Sequence, residues 1–378
     1  MRTSFKTIVR SKVLIIGPYP PPFGGVATFV KNILIQDALH DEYDLHLFRT
    51  GKRNNTDSFL WQTLSELYYL LKFVSLYKVH FKLIHVHTAS YWSFLRNIPY
   101  VLIPKYLWNC NVITHIHGAK FHLYYRNSHK LQKWIIKYSL NASDCIIVVS
   151  SSWISIIDDI CGNDNSRIYA VSNGFDSKIF YPILKEDARE KLNLPKYKKI
   201  ILNVGHLEEY KGQSYLIDAI KEVASKVNDT LCLIVGSGSL RDILQEKIEK
   251  SNLQNHIRIM GNTSPEELAL LMNACDVFVL PSLNESFGIV QIEAMACGKP
   301  IVATINGGSE NIIRSDDYGY LVAPMDSSDL AEKIVSALDR DWDAGKITDY
   351  ANRFEWRNIA REVISIYKVI ERENGPKR

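Results

Sequence analysis

Several things are missing from this sequence, and each absence narrows what the chain does. The six cysteines, Cys110, Cys145, Cys161, Cys232, Cys275 and Cys297, form no Cys-x-x-Cys pair and have no histidine cluster at metal-ligand spacing. Several lie in apolar runs such as DCIIVV and TLCLIVG, so they read as reduced, buried thiols in a reducing compartment. No uninterrupted apolar run is long enough to span a bilayer. The nearest, YWSFLRNIPYVLIPKYLW (91–108), is broken by Arg96, Pro99, Pro104 and Lys105. The basic opening RTSFKTIVRSK leads into KVLIIG, which stops at Gly17 and does not read as a secretory leader. The sequence has no GxGxxG fingerprint, and the second strand closes with Arg49 and Thr50 where a dinucleotide enzyme would carry an acid. Low-complexity tracts and short repeats are absent.

Acidic residues are scarce in one region. Residues 1–190 hold 22 Lys+Arg against 14 Asp+Glu, a net of +8, and the remainder holds 23 against 27, a net of −4. Within 52–137 twelve basic residues face only Asp57 and Glu66, amid dense Trp, Tyr and Phe. Such a surface attracts a phosphate-rich partner unless it is merely solvated charge over an aromatic core. No nucleic-acid-binding motif accompanies it. An anionic membrane surface, with a lipid-linked substrate, is the better fit.

What is present is a rhythm. With 378 residues and ordinary hydrophobic content, the chain suits two domains. Val/Ile-rich runs predict strands at 12–17, 44–50, 82–88, 111–117, 145–150 and 167–173, and again at 199–205, 230–236, 256–261, 276–282, 299–304 and 320–324. Helical patterns fall between them. The expected fold class is α/β: two Rossmann-like, doubly wound parallel-sheet domains facing a central cleft, with ligands at the strand C-termini. The expected boundaries are 1–180 for the first domain, 181–198 for a linker and 199–353 for the second domain. A last helix in 354–378 is expected to pack back toward the first.

The chemistry concentrates in NESFGIVQIEAMACGKP (284–300). A strand delivers the chain to Ser286, Phe287 and Gly288, which turn it into a helix. The free amides of a helix start favour an anion. Glu285 precedes the helix. Glu293 lies two turns along, where a carboxylate can accept hydrogen bonds from a vicinal diol such as a ribose. The stretch resembles the E-x7-E signature of the retaining glycosyltransferases of family 4, the glycosyl transferases group 1, which have the GT-B fold. CGKPIVATINGGSEN with Glu310, NGFDSKIFYP and VGHLEEYKG extend the likeness from Gly17 to about Pro324.

The resemblance implies roles residue by residue. Glu293 would hold the ribose hydroxyls of a nucleotide sugar, and Glu285 would contact the transferred sugar. Ser286, Phe287 and Gly288 would sit near sugar and phosphate. Lys211 would neutralise the donor diphosphate. His206 stands where the family has arginine, offering one hydrogen bond where a guanidinium gives several with a fixed charge. Gly24 and Gly25, in GPYPPPFGGVATFV, match the loop over the donor phosphates, and His117 in THIHG would face the transferred sugar. His115 lies deeper on the same strand face, and His85 and His87 read as packing or cleft-lining. Gly236 and Gly238 form a turn near the nucleotide, and Met260, Gly261 and Asn262 supply backbone beside the base.

The implied activity is retaining transfer of a sugar from a UDP- or GDP-type donor to a hydroxyl of a saccharide or lipid-linked saccharide, in cell-envelope polysaccharide or glycolipid assembly. His117, Lys211 and Glu285 are the catalytic candidates. No Asp-x-Asp motif stands where a diphosphate-bound metal would need one, so neither metal nor cofactor is expected. Location is expected to be cytoplasmic, peripheral on the inner membrane face. A GT-B-type epimerase and a non-catalytic nucleotide-sugar-binding protein are the alternatives, with a dinucleotide-dependent oxidoreductase third.

Overall fold

Every Val/Ile-rich run forms a strand. In this computed structural model, which describes residues 10–21, 24–51, 59–118, 120–162, 167–227 and 229–373, the described strands make two six-stranded sheets with all pairs parallel. Residues 52–58 and 119 of the basic stretch, and most of the opening segment, lie outside the described residues.

The first unit runs to Ser172 and resumes at Trp356. Its elements are β1 (Ser11–Gly17), α1 (Gly25–Leu34), α2 (Asp37–Glu42), β2 (Tyr43–Arg49), α3 (Phe59–Ser75), β3 (Leu83–Thr88), α4 (Trp92–Tyr106), β4 (Asn111–Ile116), α5 (Phe121–Asn127), α6 (Lys130–Asn141), β5 (Cys145–Val148), α7 (Ser152–Cys161) and β6 (Ile168–Ala170). The strand order is β2-β1-β3-β4-β5-β6. Alternation along each strand sends Leu14, Ile16, Ile84, Val86 and Val112 to one face, beneath α3 and α4. Val13, Ile15, Leu83 and Ile113 go to the other, beneath α1 and the last helix of the chain.

The second unit, Asn173–Glu355, contains α8 (Lys185–Lys191), β7 (Lys199–Val204), α9 (Gln213–Lys226), β8 (Thr230–Val235), α10 (Arg241–Lys250), β9 (Ile257–Met260), α11 (Pro265–Ala274), β10 (Val277–Leu280), α12 (Ile289–Ala296), β11 (Ile301–Thr304), α13 (Ser309–Ile312), β12 (Gly319–Val322), α14 (Ser327–Asp339) and α15 (Ala344–Ala351). Its strand order, β12-β11-β10-β7-β8-β9, reverses direction between β7 and β10. Both faces of this sheet are buried.

The division differs from the expected boundaries in two respects. Residues 173–180, expected to close the first domain, open the second unit instead, because Phe175 and Phe180 are buried in its core. Residues 181–198 are not a linker but part of the second unit. Buried Arg189 on α8 donates to Asp276 (2.8 Å) and to the carbonyls of Ala274, Lys196 and Lys198. A polar, proline-flanked sequence looked like a connector because its apolar anchors are few and scattered, Ala188 and Leu194 beside one buried guanidinium, and form no long stripe.

The last helix, α16 (Trp356–Glu373), belongs to the first unit. Trp356, Ile359, Ala360, Val363, Tyr367 and Ile370 recur at helical spacing and are all buried in that unit's core. Burying side chains of this size stabilises by roughly 1.5–3 kcal/mol each, so this helix is an integral part of the first unit's core.

Candidate functional site

In a doubly wound sheet, the loops leaving two adjacent strands diverge where the strand order reverses, and a crevice opens outside their C-terminal ends. In the second unit those strands are β7 and β10. The loop after β7 carries His206 and Lys211, and the loop after β10 carries Glu285. The two loops are tied directly: the Leu283 N–H donates to the Tyr210 carbonyl at 2.8 Å. Gly212, at φ +69°, lies so close to Pro281 that an added Cβ would fall 2.0 Å from the Pro281 carbonyl oxygen.

That approach brings Lys211 to Glu285. Lys211 Nζ donates to Glu285 Oε1 at 2.5 Å, with both side chains mostly buried. The same oxygen accepts from Ser282 Oγ at 3.0 Å. The Glu285 N–H donates to the Asn306 carbonyl, and Asn306 Oδ1 accepts from the amides of Gly308 and Ser309. Glu310 accepts from the amides of Asn306 and Gly307, so it holds its own turn. Ser282 and Asn306 were not anticipated from sequence. Short polar residues with distant partners leave no periodic trace, and only the Gly-Gly turn after Asn306 hinted at a tight loop.

Glu293 sits on α12, half-buried among apolar neighbours. Among the described residues its carboxyl has no hydrogen bond and no ion pair, and burial pushes it up to about 7. Gly288 starts this helix at φ +86° with no side-chain cap, leaving the first turn open to an outside acceptor. Ser286 is half-buried, and the Phe287 ring is buried against Phe354 at 5.8 Å between centroids. Phe287 therefore offers only its backbone. Gly308 packs on that backbone so tightly that a Cβ would lie 2.9 Å from the Phe287 nitrogen.

Around the β7 and β8 ends the backbone is packed with no spare room. A Cβ on Gly236 would fall 2.0 Å from the Gly205 carbonyl oxygen, and one on Gly238 2.4 Å from that of Leu207. His206 is exposed, and its carbonyl accepts from Gln213 Nε2. Met260 ends β9 half-buried and its carbonyl accepts from the Gly236 N–H, while Gly261 and Asn262 are exposed.

In the first unit, Gly24 and Gly25 start α1 and are exposed, and a Cβ on either would meet nothing within 4 Å. Their glycine identity is therefore not demanded by the fold. His117 is buried just beyond β4, and its Nε2 lies 3.0 Å from His87 Nδ1. Burial lowers His117 and His85 to about 3 and puts His87 and His115 well below the ordinary range, so all four imidazoles are neutral. Their common face follows from register, since His87 pairs with His115 and each strand repeats the residue two positions away.

His85, His87 and His115 bring ring nitrogens within 4.8 Å of one another, a cluster that spacing in the sequence did not disclose. The His85 and His115 rings are parallel within 5°, and His87 is tilted by 36° against His115. His85 Nδ1 already pairs with the Tyr367 hydroxyl at 2.7 Å and His87 Nδ1 with His117, so the stack reads as packing beneath Phe29, whose ring lies 4.7 Å from His115.

Two family models tile the chain. Residues 23–178 match Glycosyltransferase Family 4, and residues 185–354 match Glycosyl transferases group 1. An uncharacterised glycosyltransferase of Methanocaldococcus jannaschii is 28% identical over 379 residues, covering 96% of this chain and 99% of its own. A D-inositol 3-phosphate glycosyltransferase of Corynebacterium urealyticum is 30% identical over 62% of this chain and 59% of its own. Among solved structures, sucrose-phosphate synthase from Thermosynechococcus elongatus superposes with a TM-score of 0.77 at 23% identity, covering 96% of this chain and 100% of that one. The Anabaena protein HepE in complex with UDP gives 0.75 at 20%, covering 95% and 100%. With both halves matched and both sheets built as doubly wound units, the chain belongs to the group 1, family 4 glycosyltransferases of GT-B fold.

Proposed function

We propose that this glycosyltransferase moves a sugar, with retention, from a UDP- or GDP-type donor to a hydroxyl of a saccharide or lipid-linked saccharide, without a metal ion. The placement of Lys211, Glu285 and Glu293 in the second unit supports this reading most. A cation and a diol acceptor flank the place where ligands bind in such sheets.

The chemical problem is charge. The bond from the anomeric carbon to the donor phosphate breaks with its electron pair going to the phosphate oxygen. The acceptor hydroxyl oxygen bonds to the same carbon, and its proton passes to the departing phosphate. The sugar becomes cationic as the diphosphate gains negative charge. Lys211, His206 and the open first turn of α12 supply positive potential for that leaving group, and fixed donors of this kind are often the largest catalytic term. A double displacement would need a free carboxylate nucleophile. Glu285 Oε1 already accepts from Lys211 and Ser282, which blunts it as a nucleophile and favours reaction on one face. The resemblance assigns His117 to the transferred sugar and Gly24 and Gly25 to the phosphates, and these roles belong to the same proposal. So does a place in cell-envelope polysaccharide or glycolipid assembly at the inner face of the cytoplasmic membrane.

The decisive experiment is a panel of UDP-, GDP- and ADP-sugars scored by thermal stabilisation and hydrolysis. Stabilisation by one nucleotide class that is lost in Glu293→Ala supports the reading. No response to any nucleotide sugar overturns it.

A further inference from the structure

We propose that the outer side of the α3–α4–α6 layer is a docking surface for an anionic lipid bilayer. These helices cover one face of the first sheet and bury Phe73, Tyr100 and Ile136 inward. That inward face is enough to hold them. Two of them carry a second apolar stripe pointing away from the sheet, which a helix exposed only to water does not need. On α3, Leu67, Leu71 and Val74 follow at i, i+4 and i+7, all exposed, Leu71 at 62%. On α6, Leu131, Trp134 and Tyr138 follow at i, i+3 and i+7, all exposed, Trp134 at 61%. Tyr106, at the end of α4, stacks on Tyr138 at 6.3 Å between centroids, and the adjoining Leu107 is 72% exposed.

Charge selects the partner. Residues 67–143 contain ten Lys and Arg and no Asp or Glu. Among the described residues, Lys72, Lys130 and Lys137 have no ion pair, and all three are exposed beside the stripes. Outward Leu, amphipathic Trp and Tyr, and flanking lysines with long aliphatic stems together make the composition of an in-plane interfacial surface. A second copy of the chain docked on the same face would set two strongly cationic surfaces together, and a nucleic acid would leave the leucines unused. Among the described residues, no helix is long and apolar enough to cross a membrane, so the contact lies along the surface. Lipid binding needs no sugar donor. Only the corollary, that this surface brings the enzyme to a lipid-linked acceptor, rests on the transferase reading.

Flotation of the full chain with phosphatidylcholine vesicles, with and without phosphatidylglycerol, at low and high salt, tests this. The expected result is co-flotation only with phosphatidylglycerol, weakened by salt. Both Leu71→Ser/Trp134→Ser and Lys72→Glu/Lys130→Glu/Lys137→Glu should weaken it about ten-fold or more while circular dichroism stays unchanged. These positions are exposed, so the variants should fold. Indifference to phosphatidylglycerol, or wild-type flotation in both variants, overturns the proposal. So does a change in self-association on light scattering with no vesicle binding, which would make the face an interface between copies. Vesicle binding without any response to nucleotide sugars leaves this proposal standing and removes the transferase one.

Discussion

Lys211 and Glu285 stand 74 residues apart in the chain, yet Lys211 Nζ donates to Glu285 Oε1 at 2.5 Å. The pair forms because the loops after β7 and β10 are joined by the Leu283–Tyr210 backbone hydrogen bond. A diphosphate arriving there would compete with Glu285 for the ammonium. Lys211→Ala should lower turnover by ~10²-fold or more, the size typical of removing one fixed electrostatic donor. Steady-state transfer or donor hydrolysis reads the loss, and wild-type turnover in the variant would remove Lys211 from the mechanism.

Glu293 carries a stability signature. Burial raises its carboxyl from 4.5 to about 7. The ionised form is thus disfavoured in the folded state, so the destabilisation is absent below about 4.5 and complete above about 7. Glu293→Gln should raise the stability of the free enzyme at pH 8 by about 1–3 kcal/mol and leave it unchanged at pH 4. The same variant should bind donor more weakly, because an amide is a poorer acceptor for two hydroxyls. Urea unfolding at the two pH values and donor titration at pH 8 would check both halves.

The buried histidines act in the opposite sense. Burial depresses His85 and His117 to about 3, and His87 and His115 well below the usual range. Below about 6.5 the unfolded imidazoles take protons that the folded ones refuse. Stability is therefore full above that pH and falls by up to about 1.4 kcal/mol per histidine for each unit of acidification. The first unit should be acid-labile between pH 6.5 and 3. Trp342 is the one tryptophan of the second unit, so intrinsic fluorescence reports mainly on the first and should show this transition directly. A flat stability profile from pH 7 to 5 would contradict the buried, neutral stack.

Glycines separate fold from function. A Cβ on Gly236, at φ +147°, meets the Gly205 carbonyl at 2.0 Å, so Gly236→Ala should destabilise by at least about 2 kcal/mol. A Cβ on Gly25 meets nothing, and the residue opens α1. Gly25→Ala should leave the melting temperature unchanged or raise it slightly. If backbone at this turn approaches a donor phosphate, the same variant loses turnover. Unchanged turnover would free Gly25 from the site.

Most of the architecture was readable because fully buried parallel strands announce themselves as Val/Ile runs, and all twelve did. Helices such as α5, α8 and α15, short and without a long apolar stripe, announce themselves far less. In α8 the anchoring side chain is Arg189, a residue type that ordinarily signals the surface. The site divides likewise. Glu285, Glu293 and Lys211 stood out through their setting and the resemblance it supported. Ser282 and Asn306, which fix Glu285 in place, did not, because a single hydroxyl or amide carries no information about a partner in another loop.

The first unit is completed by a segment that follows the second in sequence. During translation the ribosome emits the first sheet, then all of Asn173–Glu355, before Trp356, Val363 and Tyr367 emerge to cover it. The second unit can therefore mature while the first still waits with one face only partly covered. A nascent chain cut short before α16 would leave that face to α1 alone and expose apolar surface that Trp356, Val363 and Tyr367 otherwise cover, a patch of the kind that recruits chaperones.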